Sequence, residues 1–143
     1  MPISPYDPNN PFAKILSGEW PATKVYEDAD TLAIMDIMPR ADGHVLVIPK
    51  TPARNVLDAS PAQLAACITI VQRVSRAVMA AFDADGVTVQ QFNEAAGGQV
   101  VFHLHFHVLP RHDGVALRPH TGAKADGDVL AANAGKIRAA LAG

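Results

Sequence analysis

The chain has 143 residues, a formal net charge of −2 at pH 7 and six histidines; 49% of it is hydrophobic and 18% charged. This is the composition of a globular domain, not of a disordered or fibrous chain, and without net positive charge a general phosphate-backbone binder is not expected, so no nucleic-acid partner is. The one cysteine, Cys67, excludes an internal disulfide and a cysteine-based metal cluster, and it suits a reducing compartment.

The first twelve residues, MPISPYDPNNPF, have no basic start followed by an apolar run, so no secretory leader is expected. Nowhere do about 18 apolar residues run together, so no membrane partner is expected and the predicted location is cytoplasmic. The opening stretch reads as an irregular arm. Asn10 is placed to cap a short helix starting at Pro11, because proline is tolerated at the first helical position. Phe12, Ile15 and Leu16 form its apolar face, and Gly18 ends it. Short β-like runs follow at residues 25–26, 31–35 and 44–49, the last (HVLVIP) rich in β-branched residues.

Ser60-Pro61-Ala62-Gln63 carries the signature of a capping box with proline at the first position. Behind it Leu64, Ile68, Val71, Val78 and Phe82 step at helical spacing with Cys67 and Val74 beside them, which predicts one amphipathic helix over 61–82. Residues 86–93 alternate as a strand does, 94–99 (EAAGGQ) form a glycine-bearing loop, and 100–110 (VVFHLHFHVLP) predict a second strand. A terminal helix is expected over about 128–141. The order implies an α+β fold with an antiparallel sheet.

Phe102-His103-Leu104-His105-Phe106-His107-Val108 carries the chemistry. Side chains on a strand alternate between faces, so the three histidines share one face, about 7 Å apart, and Phe102, Leu104, Phe106 and Val108 share the other. Two chemistries remain open. One is a metal site with His103, His105 and His107 as ligands. The other is nucleophilic catalysis, one imidazole attacking and its neighbours orienting it. Gly97-Gly98-Gln99 leads into the segment; glycines let backbone N–H groups approach an anion, and Gln99 adds an amide donor.

The alternating histidines, preceded by Asn93-Glu94 and Gly97-Gly98-Gln99, resemble the histidine triad family of nucleotide hydrolases and transferases. Lys24-Val25-Tyr26-Glu27-Asp28, residues 32–37 (LAIMDI) and residues 43–50 (GHVLVIPK) agree in order. The resemblance spans about 12–111. It implies a single domain over 1–143, with that stretch as core and 112–143 as a C-terminal tail and helix. The implied fold is α+β, a sheet of about five antiparallel strands with one long helix and short terminal helices.

The resemblance further implies cleavage at the α-phosphorus of nucleoside phosphoramidates or dinucleoside polyphosphates through a nucleotidyl-histidine intermediate. His105 is then the nucleophile. His107 donates to a phosphate oxygen, and His103 orients His105 through its backbone carbonyl, with His44 supporting His103. Asp36 binds the ribose hydroxyls, Ile37 and Phe12 line the base pocket, and Asn93, Gly98 and Gln99 contact phosphate or leaving group. Arg111 is placed either on substrate phosphates or in solvent, and His112 and His120 face solvent. The implied partners are a purine nucleotide containing AMP and a second copy of the chain. A nucleotide-binding regulatory module with little turnover stands as an alternative.

The chain departs from the family in two places. Many bacterial relatives hold a structural zinc at positions that here are Asn10, Ala13 and Pro52, together with His103; no structural zinc and no other cofactor is therefore expected. Where some relatives carry a hydroxyl after the glutamine, Val100 stands here.

Overall fold

The computed structural model describes residues 4–119 and 122–143. Among the described residues there are three α-helices, α1 (Pro11–Leu16), α2 (Pro61–Ala81) and α3 (Gly127–Ala142), a 3-10 turn at Ala95–Gly97, and five strands, β1 (Lys24–Glu27), β2 (Thr31–Met35), β3 (Val45–Pro49), β4 (Gly86–Gln90) and β5 (Phe106–Arg111). The strands form one antiparallel sheet in the order β1-β2-β3-β5-β4.

Each face of the sheet has its own cover. Ala33, Met35, Val45, Val47, Phe106 and Val108 meet the buried side of α2 and, beyond it, Leu130, Ala134 and Ile137 of α3. The alternate residues Leu32, Ile34, Leu46 and Ile48 meet Phe12 of α1. β2 and β3 are thus buried along their whole length, which is why they read as continuous apolar runs.

α2 forms as its first turn dictates. Gln63 N–H donates to Ser60 Oγ at 3.1 Å, and Ser60 N–H donates to Gln63 Oε1 at 2.8 Å. The helix ends at Ala81, with Asp83 at φ 48°. Its buried stripe is Cys67, Ile70, Val71, Val74, Ala77 and Val78. Ile68, expected on that stripe, is 52% exposed; it lies one residue, about 100°, round the helix from Cys67. By length and composition α2 would suffice to cross a membrane, with a mean hydropathy of 1.4 over its window. Its buried apolar stripe packs on the sheet. Burial pushes the Cys67 thiol up to about 12, so it is an inert core residue.

Two strand expectations are corrected. β4 stops at Gln90, after which the Gln91 and Asn93 side chains hydrogen bond to each other. The strand expected over 100–110 begins only at Phe106. Pairing with β3 covers only Val45↔Val108, Leu46↔His107 and Val47↔Phe106. Beyond it the Pro49 carbonyl accepts from the His103 side chain at 2.8 Å, and Leu104 N–H leaves the ladder for Ala53 O at 2.8 Å. Phe102 is not in the core; the Arg54 guanidinium lies over its ring at 4.2 Å.

The β2–β3 connection is closed by Asp36 N–H to His44 O at 3.0 Å and His44 N–H to Ala41 O at 3.1 Å. Gly43 makes this turn possible at φ +88°, and a Cβ there would stand 2.4 Å from the Phe82 ring. Gly43→Ala should lower the unfolding free energy by about 1–3 kcal/mol through backbone strain and overpacking, read as a lower urea midpoint at unchanged m-value. The C-terminal tail braces the same loop. Arg118 N–H donates to Arg40 O at 2.8 Å, Arg40 Nε donates to Arg118 O at 2.9 Å, and Ala125 N–H donates to Ile37 O at 2.9 Å.

Candidate active site

Strand alternation puts His107 on the α1 face of the sheet, opposite Leu46, and the same parity along β3 brings His44 beside it. His44 Nδ1 accepts the Arg40 backbone N–H at 3.1 Å, so Nε2 carries the proton of the neutral ring. That Nε2 lies 2.9 Å from His107 Nδ1 and 3.5 Å from Asp36 Oδ2. His107 Nδ1 is therefore the acceptor, and its own proton sits on Nε2. His44, expected to support His103, supports His107 instead, because the β3–β5 register decides its neighbour.

His105 has the opposite tautomer. Its Nδ1 is 2.7 Å from the backbone carbonyl of His103. A carbonyl only accepts, so Nδ1 carries a proton, and in the neutral ring Nε2 holds the lone pair. The His105 ring meets Phe12 edge-on at 4.9 Å and His107 at 5.0 Å. Side by side stand one imidazole with its Nε2 lone pair and one with an Nε2–H. His103 is fully buried, with Nε2 on Pro49 O at 2.8 Å and Nδ1 at 2.7 Å from the Tyr6 hydroxyl. Burial lowers its pKa, against the opposing pull of the Pro49 hydrogen bond, and so favours the neutral ring.

The two forward histidines open on a cleft of about 330 Å³. Phe12, Ile15 and Trp20 supply an apolar wall, Asp36 and Ile37 stand on the β2–β3 loop, and Gly98 and Val101 border the other side. Phe12 is 8% exposed and Ile37 50% exposed, so one forms the floor and the other the rim. Asp36 is a turn residue as well, since its Oδ1 accepts Met38 N–H at 2.9 Å.

The loop before the triad is a staple rather than an anion cradle. Glu94 adopts φ +62°, a region costly for a residue with a Cβ. Its carboxylate is gripped by Arg54 Nε at 2.8 Å and Nη2 at 3.0 Å and by Asn55 Nδ2; the Arg54 hydrogen bond holds the Glu94 carboxyl below its usual range. Gln99 is buried. Its Oε1 accepts from Glu94 N and Asn55 Nδ2, and its Nε2 donates to Arg54 O and Val101 O. All four of its hydrogen-bonding positions are used, so the expected contact to phosphate is corrected to a structural role. The N–H groups of Gly97, Gly98 and Gln99 likewise bond to carbonyls within the loop. Asn93 Oδ1 accepts from Val56 N and Gln91 Nε2, and Asn93 does not line the cleft. Gly98, at φ +99°, does line it, and a Cβ there would press to 3.2 Å on the Phe92 ring, which meets His107 edge-on at 5.6 Å.

Arg111 is turned to Thr88 Oγ1 and Val115 O, away from the cleft. His112 is exposed, with Nε2 bonded to Phe82 O. His120 lies outside the described residues. The metal reading with His103, His105 and His107 as one ligand set fails geometrically, because both His103 nitrogens are engaged elsewhere. Among the described residues the group whose ligand atoms come together, within 4.8 Å, is Asp36, His44 and His107. A cation there would have to displace the proton between the two rings. Sequence reasoning missed Tyr6, Arg54, Asn55 and Phe92, none of which belongs to a local motif.

A model of the HIT domain matches residues 17–114. The chain belongs to the histidine triad (HIT) family. It superposes with a TM-score of 0.92 and 52% identity on the crystal structure of a Hit-like protein involved in cell-cycle regulation from Bartonella henselae, over 96% of this chain and 99% of that one. An adenylylsulfatase of Arabidopsis thaliana is 39% identical over 102 residues, 71% of this chain and 52% of that protein. An adenosine 5′-monophosphoramidase of Schizosaccharomyces pombe is 36% identical over 100 residues, 70% of this chain and 72% of that protein. The five-stranded antiparallel sheet with its long helix is thus the HIT fold.

Proposed function

We propose that this HIT protein is a nucleotide hydrolase that works through a covalent histidine intermediate. The observation that carries the reading is the opposed pair of tautomers, His105 with its lone pair on Nε2 and His107 with its proton on Nε2, facing one cleft. His105 Nε2 attacks the α-phosphorus of a bound nucleoside phosphate, and a P–N bond forms as the bond to the leaving group breaks. His107 Nε2–H meets the negative charge on the phosphoryl oxygens; donors fixed in advance in this way act where charge develops. Water then cleaves the P–N bond, releasing the nucleoside monophosphate and restoring His105. Phe12 and Ile37 hold a purine, and Asp36 accepts from the ribose hydroxyls. The relatives named adenylylsulfatase and monophosphoramidase act on adenylyl compounds, which supports AMP-containing substrates.

The reading needs no resident metal. Asn10, Ala13 and Pro52 offer no zinc ligand to join His103, whose nitrogens face Tyr6 and Pro49. The protein works as a homodimer in this proposal. Its support is the sheet edge at β4, where Val89 is 46% exposed, and Ile68, 52% exposed on α2.

Val100 is 68% exposed at the cleft and carries no hydroxyl to protonate a leaving group. A panel of adenylyl substrates with product analysis should release AMP, faster when the leaving group is a phosphate or sulfate than when it is an amine. Release of AMP from none of them would refute the proposal.

A further inference from the structure

Tyr6 stands in the irregular arm before α1, and its hydroxyl lies 2.7 Å from His103 Nδ1, across 97 residues of chain. The direction of this hydrogen bond follows from the other side of the ring. The Pro49 carbonyl only accepts, so His103 Nε2 carries the proton and Nδ1 is an acceptor. The Tyr6 hydroxyl is then the donor. Asn10 Nδ2 donates to the same oxygen at 2.9 Å, which leaves the phenol proton for His103. A one-way chain runs from Asn10 through Tyr6 and His103 to Pro49. Burial raises the Tyr6 pKa, which keeps the phenol protonated.

We propose that Tyr6 is a positioning residue for the nucleophile, and that residues 6–12 form a clasp completing the active site. The proposal rests on His105 as the attacking group. The carbonyl that fixes the His105 tautomer belongs to His103, and His103 lies outside the sheet, since β5 begins at Phe106. No β-ladder holds that carbonyl. Its place is set by the Leu104 N–H bond to Ala53 O and by a side chain tied at both ring nitrogens, one tie being Tyr6. The clasp touches His105 as well. Asn10 caps α1, its Oδ1 accepting Ala13 N–H at 2.9 Å, and α1 carries Phe12, whose ring stands edge-on to His105 at 4.9 Å and to His103 at 6.4 Å. One asparagine thus ties together the two groups that hold the front and the back of the triad.

The test is Tyr6→Phe, which keeps the ring contact with His103, 5.6 Å between centroids, and removes only the hydroxyl. Loss of an orienting partner of this kind should lower kcat about tenfold with KM little changed. ¹⁵N–¹H spectra of the ligand-free protein give a second readout that does not depend on turnover. In the wild type His103 is the Nε2–H tautomer and His105 a single Nδ1–H tautomer. In Tyr6→Phe the His103 Nδ1 signal should move to that of an acceptor without a donor, and His105 should become a tautomer mixture. Asn10→Ser still caps α1 but cannot reach Tyr6, and should change both readouts in the same direction by less.

Unchanged kcat and an unchanged His105 tautomer in Tyr6→Phe would overturn the proposal. So would a loss of thermal stability alone, with both tautomers intact. If His105→Ala keeps its turnover, the catalytic reading fails, while the spectra still report on the clasp itself.

Discussion

His105→Ala is expected to lower kcat on every substrate of the cleft by about 10⁴-fold or more, with nucleotide affinity little changed. No neighbour can take over the attack. His103 has Pro49 on one nitrogen and Tyr6 on the other. His107 has its Nδ1 lone pair on His44 and its proton on Nε2. The proposed binding surface, by contrast, is built from Phe12, Asp36 and Ile37, which line the cleft, two of them on a loop braced by Arg118 and Ala125. Steady-state kinetics with calorimetry of AMP binding separates the two effects. A variant that keeps wild-type rates on all substrates would place the attacking group elsewhere.

The second large effect concerns the relay from Arg40 through His44 to His107. His107→Ala removes the Nε2–H donor and should lower kcat by about 10²–10³-fold, the usual loss when one fixed donor to a developing oxyanion is deleted. His44→Ala should approach that loss without touching substrate, because His107 Nδ1 then loses the His44 Nε2–H donor and the ring can take the wrong tautomer. The two losses should not multiply, since both variants disable one device. The double variant is expected to match His107→Ala alone. His44→Gln, whose amide can donate to Nδ1, should recover part of the rate. Fully multiplicative losses would mean that His44 and His107 act independently.

Much of this architecture is legible in the sequence because local chemistry dictates it. Ser60, Pro61 and Gln63 start a helix wherever they stand together ahead of an apolar repeat. Two continuous apolar runs become interior strands, β2 and β3, because both faces of the sheet are covered. The alternating histidines point to one face even though only His107 sits in a regular strand.

What the sequence does not reveal depends on register and on distant partners. Whether His44 meets His103 or His107 is decided by the pairing of Leu46 with His107, which no local pattern encodes. The late start of β5 follows from the His103 side chain occupying the Pro49 carbonyl, a contact 54 residues apart. Gln99 looks like a ligand-binding amide, yet the strained backbone at Glu94 and the buried Asn55 claim its oxygen. Tyr6 sits among prolines and asparagines with no periodicity to mark it, and only the folded arm brings it to the triad.

The most direct measurement of the central claim is a single-turnover reaction with an adenylyl substrate, quenched within the first turnover and mapped by peptide mass spectrometry. One adenylyl group should be found on His105, appearing before AMP and decaying as AMP accumulates. AMP released at the full rate with no adenylated peptide at any time, or with the adduct on another residue, would contradict the account.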